Sequence, residues 1–572
     1  MELHKSLECE RKRGVSSNPS EKTSASSSKL HELLEPVRAR LRDLLQEGRQ
    51  EEAIELVVLC LAQLHHQNTE LMLKLDQIQR ERLGKRSEQI SPNQLSLLME
   101  LLGESSEEEE RVDREATEAE NETLTQDRAA ADAENGTPPK QKPRRRRPSK
   151  DLPREVIVHE LSEEERVCTS CHDPMPSIGA DVIEKVELIP AQFVVQEHHR
   201  LKYACGRCKD TVKTAPGPDQ AIEKGLPGPG LLAHVVVSKY EQHLPLTRLV
   251  QIYERGGFET SVSTLCGWVA AVTDQVKPIV DLIWKQLLSS TELQTDASGL
   301  KVLDHDDPAG IRKGTMWCYV GDRKQVVFKY APDGSGELGP WKYLAGREGY
   351  VQADGANIFD RLYNGGYAQA SEVGCWSHAR RKYYDLIESD PRVAYPLQLI
   401  GQLYRVEDLA DRRQATLEER LALRRARSRG VTERYRRWLS RTLAKEPPAS
   451  ALAKACSYSV NQWTALTRFL EDARLPLDTN LCESQIRSLA VGRRNYLFAG
   501  SDAGAERAAI LYSLLRTCAL HGVDAFAYLK DVLEKIAAGW SQLRLDELLP
   551  ENWSPTEPAN ADASPELAQA AV

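Results

Sequence analysis

Residues 292–304 read "ELQTDASGLKVLD", an apolar-alternating stretch with the character of a strand, interrupted by one carboxylate, Asp296. Ala297, Ser298 and Gly299 follow directly and leave room for something to approach the acid closely. Working outward, two further strand-like runs come next, TMWCYVGD (315–322) and QVVFKYAP (325–332). A fourth, GYVQADGAN (349–357), again ends on an aspartate, Asp354, followed by Gly355. Adjacent strands that each present an acid beside a small residue bring two carboxylates together, which is costly unless cations neutralise them. Oxygen-rich clusters of this kind suit Mg2+ or Mn2+. An aspartic-protease dyad would need a second Asp-Ser-Gly or Asp-Thr-Gly, and Asp354 lies in Asp-Gly-Ala.

A two-metal site needs a third acid. A long arginine-rich helical region, roughly 385–472, leads to LPLDTNLCESQIRSLAVGRRNYLFAGSD (475–502), where Glu483 opens a helix with Ile486 and Leu489 on its apolar face. Two readings stand. Asn480 and Glu483 have the spacing of a capping box, in which the glutamate only satisfies the helix end. Alternatively Glu483 is the third ligand, favoured by Arg487, Arg493, Arg494 and Arg507 nearby, since a phosphate backbone over metal ions wants such cations. Between the second and third acids lies GCWSHARRKYYD (374–385). Trp376 could stack on an unpaired base and His378 could serve phosphate or proton transfer, with Arg380 and Arg381 beside them. Core packing of the tryptophan and a solvated helix face are the alternatives.

Upstream, LLAHVVVSKYEQHL, PLTRLVQIYERGG and FETSVSTLCGWVAAVTDQV (231–276) read as helices separated by a Gly-Gly turn, with Ser261 or Ser263 as a cap. A helix-turn-helix presenting Ser263 and Thr264 and a helix pair sharing an ordinary core have the same pattern. Two CxxC pairs, Cys168/Cys171 and Cys205/Cys208, are separated by 33 residues that alternate on either side of Pro190. Four soft thiolates in this arrangement are what a closed tetrahedral zinc site on a ribbon requires. Residues 104–134 carry 13 Asp/Glu against 3 Arg, and TPPKQKPRRRRPSK follows at 137–150. With almost no apolar residues the segment reads as a disordered linker whose Arg144–Arg147 could meet phosphates. From Ile54 to Ile78 apolar residues recur in heptads, Ile54, Leu61 and Leu75 in one series and Val57, Leu64, Leu71 and Ile78 in the other, with Asn68 in the vacant slot. A single Asn at a seam position fixes register and partner number in a coiled coil.

The whole chain has 572 residues, 41% hydrophobic and 28% charged, with a net charge of −9. That length suggests roughly three to five folding units. The acidic segment accounts for the negative balance and the rest is close to neutral, so the overall charge does not exclude a nucleic-acid partner. No apolar run has the length to span a bilayer, and the N-terminus lacks a signal-peptide core, so no membrane partner is expected and the twelve cysteines face a reducing compartment.

Taken in order after the four-cysteine run, LLAHVVVSKYEQHLPLTRL, LQTDASGLKVL, GYVQADG, GCWSHARRKYYD, PLDTNLCES and GRRNYLFAGSDAGAERAAILYSLLRTCALHGVDAFAYLKDVL resemble the insertion sequence 66 (IS66) family of bacterial transposases over about residues 30–535. GCWSHARRK and GRRNYLFAGSD are specific to that family, and the heptads ahead of GKRSEQ resemble its N-terminal leucine zipper. The resemblance implies a DDE-type DNA transposase. Its RNase H-like core would carry Asp296, Asp354 and Glu483 as catalytic ligands of Mg2+ (or Mn2+), with a helical insertion within the 128 residues between the second and third acids. The implied partners are double-stranded DNA at transposon ends and target, a second copy or more of the chain, and accessory proteins of the same element, all in the bacterial cytoplasm. The family pattern A-D-E-T-P is met by Thr295–Gly299 with an alanine after the first acid, and D-N-N-x-A-E-R by Asp478–Ser484 with a serine after the third. A catalytically impaired DNA-binding relic or repressor is therefore the alternative reading.

The fold class so implied is multidomain α/β. The expected organisation is a leucine-zipper-like helical segment (30–90), a disordered acidic then basic linker (91–153), a zinc-binding ribbon (154–215) and a helix-turn-helix-like DNA-binding region (226–285). These are followed by the first part of the RNase H-like core (286–385), the helical insertion (386–472), the second part of the core with C-terminal helices (473–545) and a disordered tail (546–572). Trp376, His378, Arg380, Arg487, Arg493 and Arg494 are the expected DNA contacts, and Cys168, Cys171, Cys205 and Cys208 the zinc ligands.

Overall fold

The computed structural model describes residues 38–54, 56–58, 108–134, 156, 186, 192–204, 212–223 and 225–555. The four cysteines, Arg144–Arg147 and most of the heptad segment lie outside the described residues. Those described divide into two compact units, one up to Arg111 together with Leu386–Gln398, the other Val112–Asp385 and Leu399 onward. In the first unit residues 38–46 are helical, Leu44 and Ala53 are buried, and the first two heptad residues, Ile54 and Val57, are exposed.

The second unit is built on a five-stranded sheet, in which β3 (Glu292–Leu303), β4 (Ile311–Gly321), β5 (Gln325–Ala331), β6 (Glu348–Gln352) and β7 (Gln369–Val373) take the order β5-β4-β3-β6-β7. A separate small ribbon pairs β1 (Lys202–Ala204) with β2 (Val212–Thr214), antiparallel. In the large sheet β3, β4 and β5 form an antiparallel meander, while β6 pairs parallel with β3 and β7 parallel with β6. The β4–β5 turn takes Asp322 and Arg323 through positive φ, 41° and 60°. The Asp322 carboxylate repays that strain locally by accepting the backbone N–H groups of Thr291 and Glu292 at 3.0 and 2.9 Å, which pins the turn to the start of β3.

Three N-terminal helices, α2 (Pro229–Tyr240), α3 (Leu246–Arg255) and α4 (Val262–Leu288), share one core with the sheet and with α12 (Asp502–Leu520) and α13 (Ala525–Ala537). Ser261 caps α4 by accepting the Thr264 N–H at 3.1 Å. Leu265, Val272, Val276, Ile279, Ile283 and Leu287 bury α4 along its whole length. Residues 226–285 are thus part of the sheet's own core, the second of the two readings their pattern allowed, although Ser263 and Thr264 are exposed at the start of α4. The edge strand β5 is closed by α12, whose Ser513 and Thr517 hydroxyls accept the N–H groups of Phe328 and Val326 at 2.8 and 3.1 Å.

After α5 (Asn357–Asn364) and α6 (Trp376–Tyr384), a helical insertion contains α7 (Ala394–Arg412), α8 (Leu417–Leu423), α9 (Arg429–Lys445) and α10 (Ala451–Asn461). Its return to the sheet is fixed by Arg424, buried at 1% exposure. This guanidinium pairs with both Glu407 oxygens at 2.7 and 2.8 Å and donates to the carbonyls of Phe469, Asp472 and Leu475. All of its donor directions are used, which is the condition under which a buried charge is tolerated. From there α11 (Asn480–Tyr496) leads back beside β3 and β4.

Two expectations are corrected. The acidic stretch expected to be a disordered linker contains a helix, α1 (Glu108–Glu134), which packs Leu124 and Ala131 against Val406, Leu409 and Leu423 of the insertion. Composition predicted no core because the charges that hold this helix lie about 300 residues away in the chain, as Asp127 with Arg427 shows. The tail expected from 546 begins with packed residues: Leu548 and Leu549 are buried, Tyr528 donates to the Leu548 carbonyl at 2.6 Å, and the Trp553 indole to Asp531 at 2.8 Å.

Candidate active site

The parallel pairing of β3 with β6 sets Gln294 opposite Gln352. Asp296 and Asp354 each come two residues later along their own segments. Asp296 is still within β3, where its Oδ1 accepts the N–H of Ala297 at 2.7 Å. Asp354 has passed the end of β6. Its Oδ1 accepts the Ala356 N–H at 3.0 Å across Gly355, whose φ of +73° the turn requires. Tyr458 of the insertion donates to the Asp354 carbonyl at 2.8 Å and holds this turn from outside.

Glu483 arrives on α11. The helix begins at Asn480 with Thr479 as its N-cap and no side-chain cap bond. Thr479 rather than Asn480 therefore occupies the cap position from which a capping box would be built. Its Oε1 lies 3.6 Å from Nε2 of His378, on α6. Burial raises the Asp296 carboxyl; the Ala297 N–H works against this, and the charges of Glu483 and Asp354 add to the rise. Burial lowers the His378 imidazole although Asp354 and Asp296 pull it upward. Asp296 thus feels the charges of Asp354, Glu483 and His378 beside the central strands of the sheet. Among the described residues no three His, Cys, Asp or Glu side chains converge closely enough to hold an ion as they stand. The donor chemistry, three carboxylates with an imidazole beside them, is nonetheless that of a hard divalent cation.

Sequence reasoning missed the side chains that bring these groups together. Gln352, fully buried, donates to the carbonyls of Gly374 and Pro476, each at 3.0 Å. Gln294 donates to the Asp478 carbonyl and accepts the Cys482 N–H, both at 3.3 Å. The backbone N–H of Trp376 donates to the Leu477 carbonyl at 2.9 Å, and the Tyr404 hydroxyl donates to the Asp478 carboxylate at 2.7 Å. Both glutamines stand two residues before an aspartate in the sequence, which was the available signal; nothing in their spacing shows that they reach the segment before Glu483.

The other predicted residues divide. Trp376 is 1% exposed, its indole donating to the Leu466 carbonyl at 2.8 Å among Tyr435 and Phe469. That corrects the expected base-stacking role, because no face of the ring is open. Arg380 is half-buried with its guanidinium 5.4 Å from the centre of the Tyr384 ring. Arg493 donates to the Gly299 carbonyl of β3, while Arg487 and Arg494 are exposed on α11. No helix among the described residues is long and apolar enough to cross a membrane.

Sequence models of the IS66 transposase family match in four places: the transposase domain over 224–507, its zinc-finger domain over 165–209, its C-terminal element over 513–550, and a transposase C homeodomain over 70–157. The zinc-finger match spans all four CxxC cysteines. Among curated proteins, the uncharacterized protein y4hP of Sinorhizobium fredii is 31% identical over 513 residues, 84% of this chain and 88% of its own length. The uncharacterized protein y4qI of the same organism is 33% identical over 393 residues, 66% of this chain and 72% of its own. On these matches the chain belongs to the IS66 transposase family.

Proposed function

We propose that this chain is a DNA transposase of the DDE type, which binds the ends of its element and carries out cleavage and strand transfer. The observation that supports the reading is that Asp296, within β3, lies where the charges of Asp354, just past the end of the parallel neighbour β6, and of Glu483, in the first turn of α11, both act on it. An RNase H-like core is supported by a five-stranded mixed sheet whose first and fourth strands lead to the two aspartates.

Asp296, Asp354 and Glu483 would hold Mg2+ or Mn2+, which supplies Lewis acidity and a more acidic bound water. Burial is the main cause that raises Asp296, and the repulsion from Glu483 and Asp354 that adds to it is what such an ion relieves. His378 steadies the Glu483 carboxylate from 3.6 Å, and Gln294 and Gln352 fix the backbone that delivers Glu483. Arg487 and Arg494, exposed on that same helix, are placed to meet phosphates. Cys168, Cys171, Cys205 and Cys208 would close a structural zinc site within the matched zinc-finger domain. Two ends must be paired, so the working form is a dimer or larger.

The test is Mg2+- or Mn2+-dependent 3′-end cleavage of a fragment carrying the element's own terminus, with accessory proteins supplied. Wild type should cut, while Asp296→Asn, Asp354→Asn and Glu483→Gln should bind without cutting. Binding without cleavage by wild type would leave a DNA-binding relic, with Ala297 and Ser484 beside the acids as the first positions to restore.

A further inference from the structure

Helix α1 carries two heptad series on one side. Asp113, Glu120 and Asp127 recur every seven residues, and Thr117, Leu124 and Ala131 repeat four positions later. This is the geometry of a packed helical seam, but one series of it is acidic. The seam faces arginines. Asp113 receives Arg437 at 2.6 Å and Arg441 at 2.8 Å, Glu120 pairs with Arg434, and Asp127 with Arg427 at 3.1 Å. Asp132 adds an ion pair with Arg412. Burial raises the Asp113 carboxyl, but the hydrogen bonds from Arg437 and Arg441 outweigh it and hold the group below the usual carboxylate range.

The apolar part of this seam is small, since Leu124 and Ala131 are its buried hydrophobic residues on α1. A helix that served only to complete the insertion would be held more cheaply by apolar side chains, because ion pairs contribute little once desolvation is counted. What the arrangement provides instead is exchangeability. Acids seven residues apart on a helix are spaced about 10 Å along a rod, and the guanidiniums they occupy are the groups best shaped to take phosphate oxygens in pairs.

We propose that the arginine face formed by α7, α9 and the π-helical stretch Arg424–Ser428 that leads into α9 is a docking surface for the phosphate backbone of duplex DNA. Helix α1 covers it in the free protein and leaves when DNA takes its place. The inference rests on the transposase reading for the identity of the polyanion, and on charge complementarity within the chain for the surface itself.

The test uses the full chain and a short duplex of arbitrary sequence. Asp113→Asn, Glu120→Gln and Asp127→Asn combined should raise duplex affinity about tenfold at ~0.1 M salt and steepen its salt dependence, because more guanidiniums then displace counterions. Adding Arg434→Gln, Arg437→Gln and Arg441→Gln to that variant should remove the gain. Since the neutralised seam could misfold, hydrogen exchange of residues 112–134 in wild type provides an independent arm: duplex should speed it at least tenfold while β3 and β4 stay protected. Wild type that binds duplex with the exchange of 112–134 unchanged, or a folded triple variant that binds no more tightly, overturns this inference and leaves the transposase reading standing. Wild type that binds no duplex at any salt overturns both.

Discussion

Gln294 and Gln352 face each other across β3 and β6, and both reach out of the sheet to the same segment, residues 476–482, that precedes Glu483. Glu483 is thereby indexed to the strands that lead to Asp296 and Asp354. Gln352→Ala leaves the carbonyls of Gly374 and Pro476 without their donor in a buried place, a loss of about 1–3 kcal/mol. Because those bonds fix the approach of α11, metal-dependent cleavage should fall further than DNA affinity. Urea unfolding with single-turnover cleavage checks this; a destabilised variant that cuts at the wild-type rate would reduce Gln352 to a packing residue.

The strands were legible because alternation is a local signal: the stretch read as a strand over 292–304 contains β3, Glu292–Leu303, whereas β6 ends at Gln352, two residues short of the Asp354 expected to close it. What was not legible depends on partners far away in the chain. Leu124 and Ala131 are too few to announce a core, and α1 becomes intelligible only once Arg427, Arg434, Arg437 and Arg441 face it. The capping box at Asn480–Glu483 was a sound local pattern, but anchoring of Asp478 and Cys482 by Gln294 starts the helix so that Thr479 is the cap. Trp376 could not be assigned from its neighbours, since arginines flank core and interface tryptophans alike.

Trp376 belongs to the core, which sets two different costs. Trp376→Ala should lose about 3–5 kcal/mol, read by urea or thermal unfolding. Trp376→Phe keeps most of the ring contacts with Tyr435 and Phe469 and leaves the Leu466 carbonyl without its donor. It should therefore bind DNA within about twofold of wild type, whereas a stacking platform would cost about 1–3 kcal/mol per base. A large affinity loss in folded Trp376→Phe would reinstate the stacking role.

A second cluster, away from the acids, gives a pH dependence of stability. Tyr330 donates to Asp502 at 2.5 Å, and Arg312 joins Asp502 at 2.5 Å to Asp304 at 3.0 Å. The tyrosine hydrogen bond is the main cause holding Asp502 below the usual carboxylate range, against burial and with help from Arg312. Because the folded value lies below the unfolded one, the contribution is fully present above the unfolded pKa of about 4 and is lost as pH falls through the folded value. Asp502 is half-exposed, so Asp502→Asn should cost about 1 kcal/mol or less near neutrality. The gap from wild type should close in strong acid, and a gap that stays constant down to that range would remove the ionic contribution.

Zinc is tested apart from cleavage. If Cys168, Cys171, Cys205 and Cys208 form one closed site, the purified chain should carry about one zinc per molecule by elemental analysis. Cys205→Ser should lower both that content and the temperature at which the domain unfolds. A wild-type chain that folds and binds element ends with no zinc present would refute the assignment.

His378 decides how the imidazole serves the site. Its Nε2 lies 3.6 Å from Glu483 Oε1, and its Nδ1 is buried without a hydrogen-bond partner. Burial lowers the imidazole from its ordinary value despite Asp354 and Asp296, which disfavours its charged form beside the carboxylates. A neighbour that orients a metal ligand typically accounts for about 10–100-fold in metal affinity or activity. His378→Ala should thus slow cleavage by about that factor and raise the Mg2+ or Mn2+ concentration needed for half-maximal rate, while duplex affinity without metal moves by less than about threefold. A phosphate contact would behave in the opposite way: affinity for all DNA would fall, its salt slope would flatten by about one unit per lost contact, and the metal requirement would stay where it was.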